Sequence, residues 1–161
     1  EHPLTLRVRY SETDQMGIAY HANYLVWFEV ARTDYCRALG MPYGDWEKQG
    51  IFLPVVEAHC RYKKPARYDD ALNVLCWVSE LKPHSLVFSY RVLREDLLLA
   101  EGWTKHGICD AQGRLVRGDN PFYRWMEDRH PEAFPVPPEG GSGSPSWRFW
   151  WSSPFYPLSP D

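Results

Sequence analysis

One run of helical period, followed by a long stretch that has none, constrains this chain more than any other feature. From about Asn23 to Leu39, the residues Tyr24, Phe28, Ala31, Tyr35 and Leu39 recur every three or four positions, and Trp27 and Ala38 widen the stripe. Gly40, with Pro42 just beyond, supplies a stop. Such a helix is long enough to cross a sheet. The sequence before it, Leu4 to Tyr10, alternates apolar and polar residues as a half-buried strand does, and Ser11 to Tyr20 is a polar turn containing Gly17. The sequence after it predicts a short helix or turn over Gly44–Gln49 and a strand over Phe52–Tyr62, bulged or edge-like at Pro54. Leu72, Val74, Cys76 and Val78 form one strand face, and Leu86, Phe88, Tyr90 and Val92 form another. Leu98 to Cys109 supplies a further strand, then Asp110-Ala111-Gln112-Gly113 a hairpin turn, with Arg114 to Val116 as the return.

Consecutive strands on short turns are mostly antiparallel. The expected fold class is therefore α+β: one long helix against an antiparallel sheet of about five strands. No strand–helix alternation continues past residue 50, which argues against a dinucleotide-binding fold. One helix covers one sheet face. Apolar residues on both faces of the 72–78 and 86–93 strands therefore predict a homo-oligomer. The expected division is a domain over 1–130 and a tail over 131–161. That tail holds eight of the 14 prolines and a Gly-Ser stretch, yet ends in Trp147, Phe149, Trp150, Trp151, Phe155 and Tyr156.

At 161 residues with 44% apolar content, the chain can bury a core without metal or disulfide staples. A net charge of −3 argues against nucleic-acid binding. The first residues lack a basic region followed by an apolar run, so no signal peptide is expected, and no apolar run is long enough for a membrane span. Cys36, Cys60, Cys76 and Cys109 have neither CxxC spacing nor close histidine partners. They read as reduced thiols of a cytoplasmic protein, with no metal and no cofactor expected.

The segment Arg9 to Tyr24 carries the candidate chemistry. Two acids, a glycine, a tyrosine and a histidine lie between a strand and the start of the helix. Unpaired amides at a helix start bind an anion or a polarised oxygen. A nearby carboxylate can attack an acyl carbon or activate water. The competing explanation is that Asp14 or Asn23 simply caps turn amides.

Glu12-Thr13-Asp14-Gln15-Met16-Gly17, followed by Tyr20-His21-Ala22-Asn23-Tyr24, resembles the hotdog-fold acyl-CoA thioesterases of the 4-hydroxybenzoyl-CoA thioesterase type. The branch it is most similar to is the one associated with the bacterial Tol-Pal system. Phe28-Glu29-Val30-Ala31-Arg32-Thr33, Tyr62 through Asp70, and Ser85-Leu86-Val87-Phe88 extend the resemblance over about residues 4–118. It implies sheets paired across a dimer, or a homotetramer built from two dimers. It also implies hydrolysis of an acyl-CoA or acyl-carrier thioester to a carboxylic acid and a thiol. Asp14 matches the catalytic aspartate, as nucleophile or general base. Gly17 matches a glycine where the thioester approaches the backbone, and the His21 amide matches the group that polarises the carbonyl.

The His21 ring has either a kinetic or a packing role. Tyr20, Asn23 and Tyr24 are expected to line or cap the site, and Glu29 is a backup acid or a solvated partner of Arg32 or Arg67. Lys63, Lys64 and Arg67 are the candidate phosphate partners, with Arg91, Arg94 and Arg117 as additions. Ile18, Trp27, Phe28, Leu39, Val55, Val56 and Phe88 are the candidate acyl-pocket walls. Two further functions compete: non-hydrolytic acyl-thioester binding, as in an envelope-associated scaffold, and dehydration of a 3-hydroxyacyl thioester.

Overall fold

The computed structural model describes residues 2–116, 118 and 120–129. Arg117 and the 131–161 tail lie outside the described residues. Five strands form one antiparallel sheet: β1 (His2–Arg7), β2 (Val55–Tyr62), β3 (Ala71–Lys82), β4 (Ser85–Arg94) and β5 (Leu97–Gly107). Their order across the sheet is β1-β3-β4-β5-β2, so the first two strands in sequence become the two edges. Among the described residues three α-helices accompany them: α1 (Asn23–Ala38), α2 (Tyr43–Lys48) and α3 (Pro121–Asp128). The α+β architecture is the one the alternation pattern predicts. Among the described residues, no helix is long and apolar enough to cross a membrane.

α1 lies on one face of the sheet because its stripe and the strand alternation point at each other. Tyr24, Trp27, Phe28, Ala31 and Tyr35 are buried, as are Leu72, Val74, Cys76 and Val78 on β3 and Phe88, Tyr90 and Val92 on β4. Phe28 stacks on Tyr90 with centroids 4.2 Å apart and rings 4° from parallel. Gly102 on β5 makes that approach possible. A Cβ there would fall 2.3 Å from the His59 carbonyl oxygen and 2.7 Å from the Phe28 ring. Phe28 and Phe88 are therefore core rather than pocket walls, and Trp27 is also buried.

Three local features differ from expectation. β1 ends at Arg7, because Tyr10–Glu12 forms a 3₁₀ turn while Val8 pairs with Asp69 and Asp70. The expected 52–62 strand is split at Pro54: Phe52 bridges Cys109, and β2 starts at Val55. α3 was not expected. Asn120 caps it by accepting the Tyr123 amide at 2.9 Å, Pro121 opens it, and Phe122 and Met126 are buried beneath it.

Candidate active site

The helix entrance is built by a loop that folds back on itself. The Asp14 amide donates to the Ile18 carbonyl at 2.9 Å, and the Gly17 amide donates to the Asp14 carbonyl at 3.0 Å. Gly17 has φ +77°, a conformation that explains the glycine directly. A Cβ there would meet no protein atom within 4 Å, so crowding by the chain itself does not dictate the residue. The Ala19 amide then donates to the Ala66 carbonyl at 2.8 Å, joining the loop to the connection that follows β2.

Asp14 does cap a turn: its Oδ1 accepts the Met16 amide at 2.8 Å. Its Oδ2 accepts no hydrogen bond among the described residues. α1 opens without a side-chain cap. Among the described residues the His21 and Ala22 amides also donate to nothing, whereas the Asn23 amide donates to the Tyr20 carbonyl at 3.0 Å. Two N–H groups thus lie unpaired at the positive end of a 16-residue helix, and one of them belongs to His21, which shares a cleft with a carboxylate that has an oxygen to spare.

Asp14, Ile18, Ala19, His21, Tyr24, Tyr62, Lys63, Lys64 and Pro65 line one cleft of about 410 Å³. Tyr62 was not singled out from the sequence. Its hydroxyl donates to the His21 carbonyl at 2.9 Å, and its ring packs edge-on against the His21 and Tyr24 rings. No local sequence signal marks it, because its place in the cleft depends on β2 pairing with β5: Tyr62 lies opposite Ala100, and Cys60, on the same face of β2, lies opposite Gly102, which faces Phe28 of α1. Burial pushes the Tyr24 phenol up, and burial reinforced by Cys60 does the same for Tyr62, so both are neutral donors at neutral pH. Tyr20 is half exposed and packs on the His21 ring at 4.4 Å.

The other expected site residues divide. Asn23 holds the loop: its Nδ2 donates to the carbonyls of Glu12 at 2.8 Å and Tyr20 at 3.2 Å. Glu29 is exposed, does not line the cleft, and makes no ion pair with Arg32 or Arg67 among the described residues. Lys63 is only 16% exposed, and its ammonium pairs with Glu101 at 3.1 Å, so its charge is already compensated. Lys64 is an exposed rim lysine. Arg67 is exposed and its backbone bridges Ile18, but it is not a cleft wall. Arg94 is tied to Asp70 at 2.8 Å. Arg91 lies over the Trp77 ring on the sheet face opposite α1 and leaves the phosphate cluster. Of the expected acyl walls only Ile18 lines the cleft, since Val55 and Val56 are exposed on β2 and Leu39 packs on the core near the far end of α1.

Glu12, in the loop just before Asp14, is buried. Burial pushes its carboxyl up, but hydrogen bonds from the Arg9 amide, the Trp27 indole and the Arg9 guanidinium outweigh this, and the net shift is downward.

The sequence and the fold recur in known proteins. The chain is 37% identical over 106 residues to the acyl-CoA thioesterase YbgC of Haemophilus influenzae, a match covering 65% of this chain and 78% of that protein. A hypothetical protein from Thermus thermophilus superposes with a TM-score of 0.75 at 40% identity, covering 80% of this chain and 98% of the other. The DHNA-CoA thioesterase from Staphylococcus aureus superposes with a TM-score of 0.74 at 35% identity, covering 83% and 95%. The family model of the thioesterase-like superfamily matches residues 8–141, from the end of β1 past α3. This chain therefore belongs to the thioesterase-like superfamily and is a hotdog-fold thioesterase.

Proposed function

We propose that this protein hydrolyses an acyl-CoA thioester to a carboxylic acid and CoA, with Asp14 as the reacting carboxylate. The observation that carries the proposal is that the Asp14 carboxylate and His21, whose amide is unpaired among the described residues, line one cleft. The thioester carbonyl sits at the helix start, where the His21 amide polarises it and the helix dipole favours the developing oxyanion. Asp14 then acts by one of two routes. It attacks the carbonyl carbon to expel the CoA thiolate, leaving a mixed anhydride that water cleaves, or it takes a proton from the water that attacks. The leaving thiolate has an ordinary pKa near 8.5 and departs without a strong acid. Gly17 keeps the approach to the backbone open, Tyr24 and Tyr62 wall the cleft, and Tyr20 packs on the His21 ring beside it. Lys64 and Arg67 meet the CoA phosphates, and their contribution weakens as salt is raised.

The working unit in this proposal is a cytoplasmic dimer or a tetramer of two dimers. β2 is a sheet edge with Val55 and Val56 exposed, and α1 exposes Leu25, Val26 and Val30. A second copy pairing along β2 satisfies the edge and covers these residues.

The test is thiol release from acetyl-, butyryl-, hexanoyl-, decanoyl-, benzoyl- and 4-hydroxybenzoyl-CoA by the wild-type and Asp14→Asn proteins. Release that disappears in the variant supports the proposal, and the substrate ranking describes the pocket. Equal release by both proteins removes Asp14 from the chemistry. No release by the folded wild type from any substrate, or from acyl-carrier thioesters, favours the non-hydrolytic binding role.

A further inference from the structure

We propose that Glu12 is the positioning residue of this site, setting the Asp14 carboxylate and the His21 amide in register from a single anchored point. The inference rests on the reading of Asp14 as the reacting group. Glu12 is only 5% exposed, although it lies in a loop between a strand edge and a helix entrance. Both carboxylate oxygens are engaged. Oε1 accepts the Arg9 amide at 2.8 Å and lies 3.4 Å from the Arg9 guanidinium, while Oε2 accepts the Trp27 indole N–H at 2.8 Å. Its carbonyl oxygen accepts the Tyr20 amide and the Asn23 side-chain amide, each at 2.8 Å.

These bonds run in three directions. One reaches back to the chain leaving β1, one crosses to the buried second turn of α1, and two close on the residues flanking His21. Asp14 is two residues downstream of the same anchor. The distance between the carboxylate and the polarising amide is thus set by Glu12 and by a few covalent bonds on either side. Displacement of a reacting group by about 1 Å can cost about 10²-fold in rate.

The chemistry of the anchor has to be a carboxylate. The groups facing its oxygens are N–H donors, so an acceptor-only side chain satisfies them. Glutamine has the same shape but turns an NH₂ toward one of those donors, leaving two buried donors opposed. A methylene-only side chain of similar length would leave the Trp27 indole and Arg9 amide without their acceptor.

The test combines turnover with hydrogen exchange on the full chain. Glu12→Gln is expected to lower kcat about 10- to 100-fold, with KM within about twofold and the melting temperature within a few degrees. Amides between residues 14 and 21 should exchange faster in this variant while those of β3, β4 and β5 stay unchanged. In a Trp27→Phe background, which removes one opposing donor, Glu12→Gln should cost less than in the wild type. Unchanged kcat and unchanged exchange in Glu12→Gln would overturn the inference. So would a loss of activity that follows the folded fraction and returns on cooling, since that is stability rather than positioning. Full activity in Asp14→Asn would overturn the underlying reading instead, and the exchange experiment would still report whether Glu12 anchors the loop.

Discussion

Two regions of this molecule are rich in polar groups, and they use them in opposite ways. Beneath α1, Tyr90, Thr104 and His106 form a chain that ends on the Leu53 carbonyl. That carbonyl can only accept, so His106 Nδ1 donates to it at 2.9 Å and Nε2 accepts the Thr104 hydroxyl at 2.8 Å, while Thr104 accepts Tyr90 at 2.7 Å. Both nitrogens are used and the ring has no exposure. At the helix entrance, His21 is exposed, its amide and that of Ala22 are unpaired among the described residues, and Asp14 has an oxygen to spare. The core network is saturated and therefore structural. The entrance keeps hydrogen-bonding capacity available for a ligand. Residue type does not separate the two regions; the count of unmade bonds does.

The comparison breaks most decisively at Asp14. Asp14→Asn should lower turnover of the preferred thioester by about 10²–10⁴-fold, with a melting temperature within a few degrees of wild type. A variant that unfolds instead would place Asp14 with the saturated, structural groups.

His106 tests the other side through pH. Burial, first, and the Arg32 charge, second, push its pKa from 6.5 down to about 4, against a raising contribution from the Leu53 carbonyl. Between those values the unfolded chain holds a proton that the folded chain refuses, so stability falls as pH drops. The loss is about 2 kcal/mol at pH 5 relative to pH 7.5, and about 3 kcal/mol once the pH is below 4. Urea unfolding from pH 7.5 to 5 should show this slope, and His106→Gln should flatten it. A slope unchanged in that variant would assign the pH dependence to other groups.

Tyr62→Phe sharpens the description of the entrance. It removes the bond to the His21 carbonyl while keeping the ring, and should lower stability by about 1 kcal/mol and kcat by no more than about fivefold. The smallest effect is expected at the His21 ring. If the amide does the polarising, His21→Ala should cost under about threefold, with the same pH profile. A loss near 10²-fold with an altered profile would give the ring a proton-transfer role.

Local features were legible in the sequence, and long-range ones were not. The 3.6-residue period of Tyr24, Phe28, Ala31 and Tyr35 predicts α1 because each must face the sheet. The alternation at 72–78 and 86–92 predicts β3 and β4 for the same reason. The turn at Asp110 reads from its residue type: Oδ1 accepts the Gln112 and Arg114 amides. α3 went unread although Asn120-Pro121 is a start signal and Phe122 and Met126 are four apart. In the site, the turn-and-helix-start pattern brings Asp14, His21 and Tyr24 together because they are close in sequence. Tyr62, the Trp27–Glu12 bond and the Lys63–Glu101 pair depend on which strands become neighbours, and that order is set by the whole sheet. Lys63 illustrates the cost of reading charge alone: a basic run supplies one exposed rim lysine and one internal ion pair.

The central claim is that the α1 entrance polarises a thioester carbonyl for Asp14. The most direct measurement is isotope-edited infrared spectroscopy of a carbonyl-¹³C acyl-CoA bound to the Asp14→Asn protein, using the substrate that the wild type turns over fastest. The account predicts an intact bound thioester whose carbonyl stretch lies below its position in water, as expected when backbone N–H groups donate to the oxygen. A band at the aqueous position, or cleavage at the wild-type rate, would contradict it.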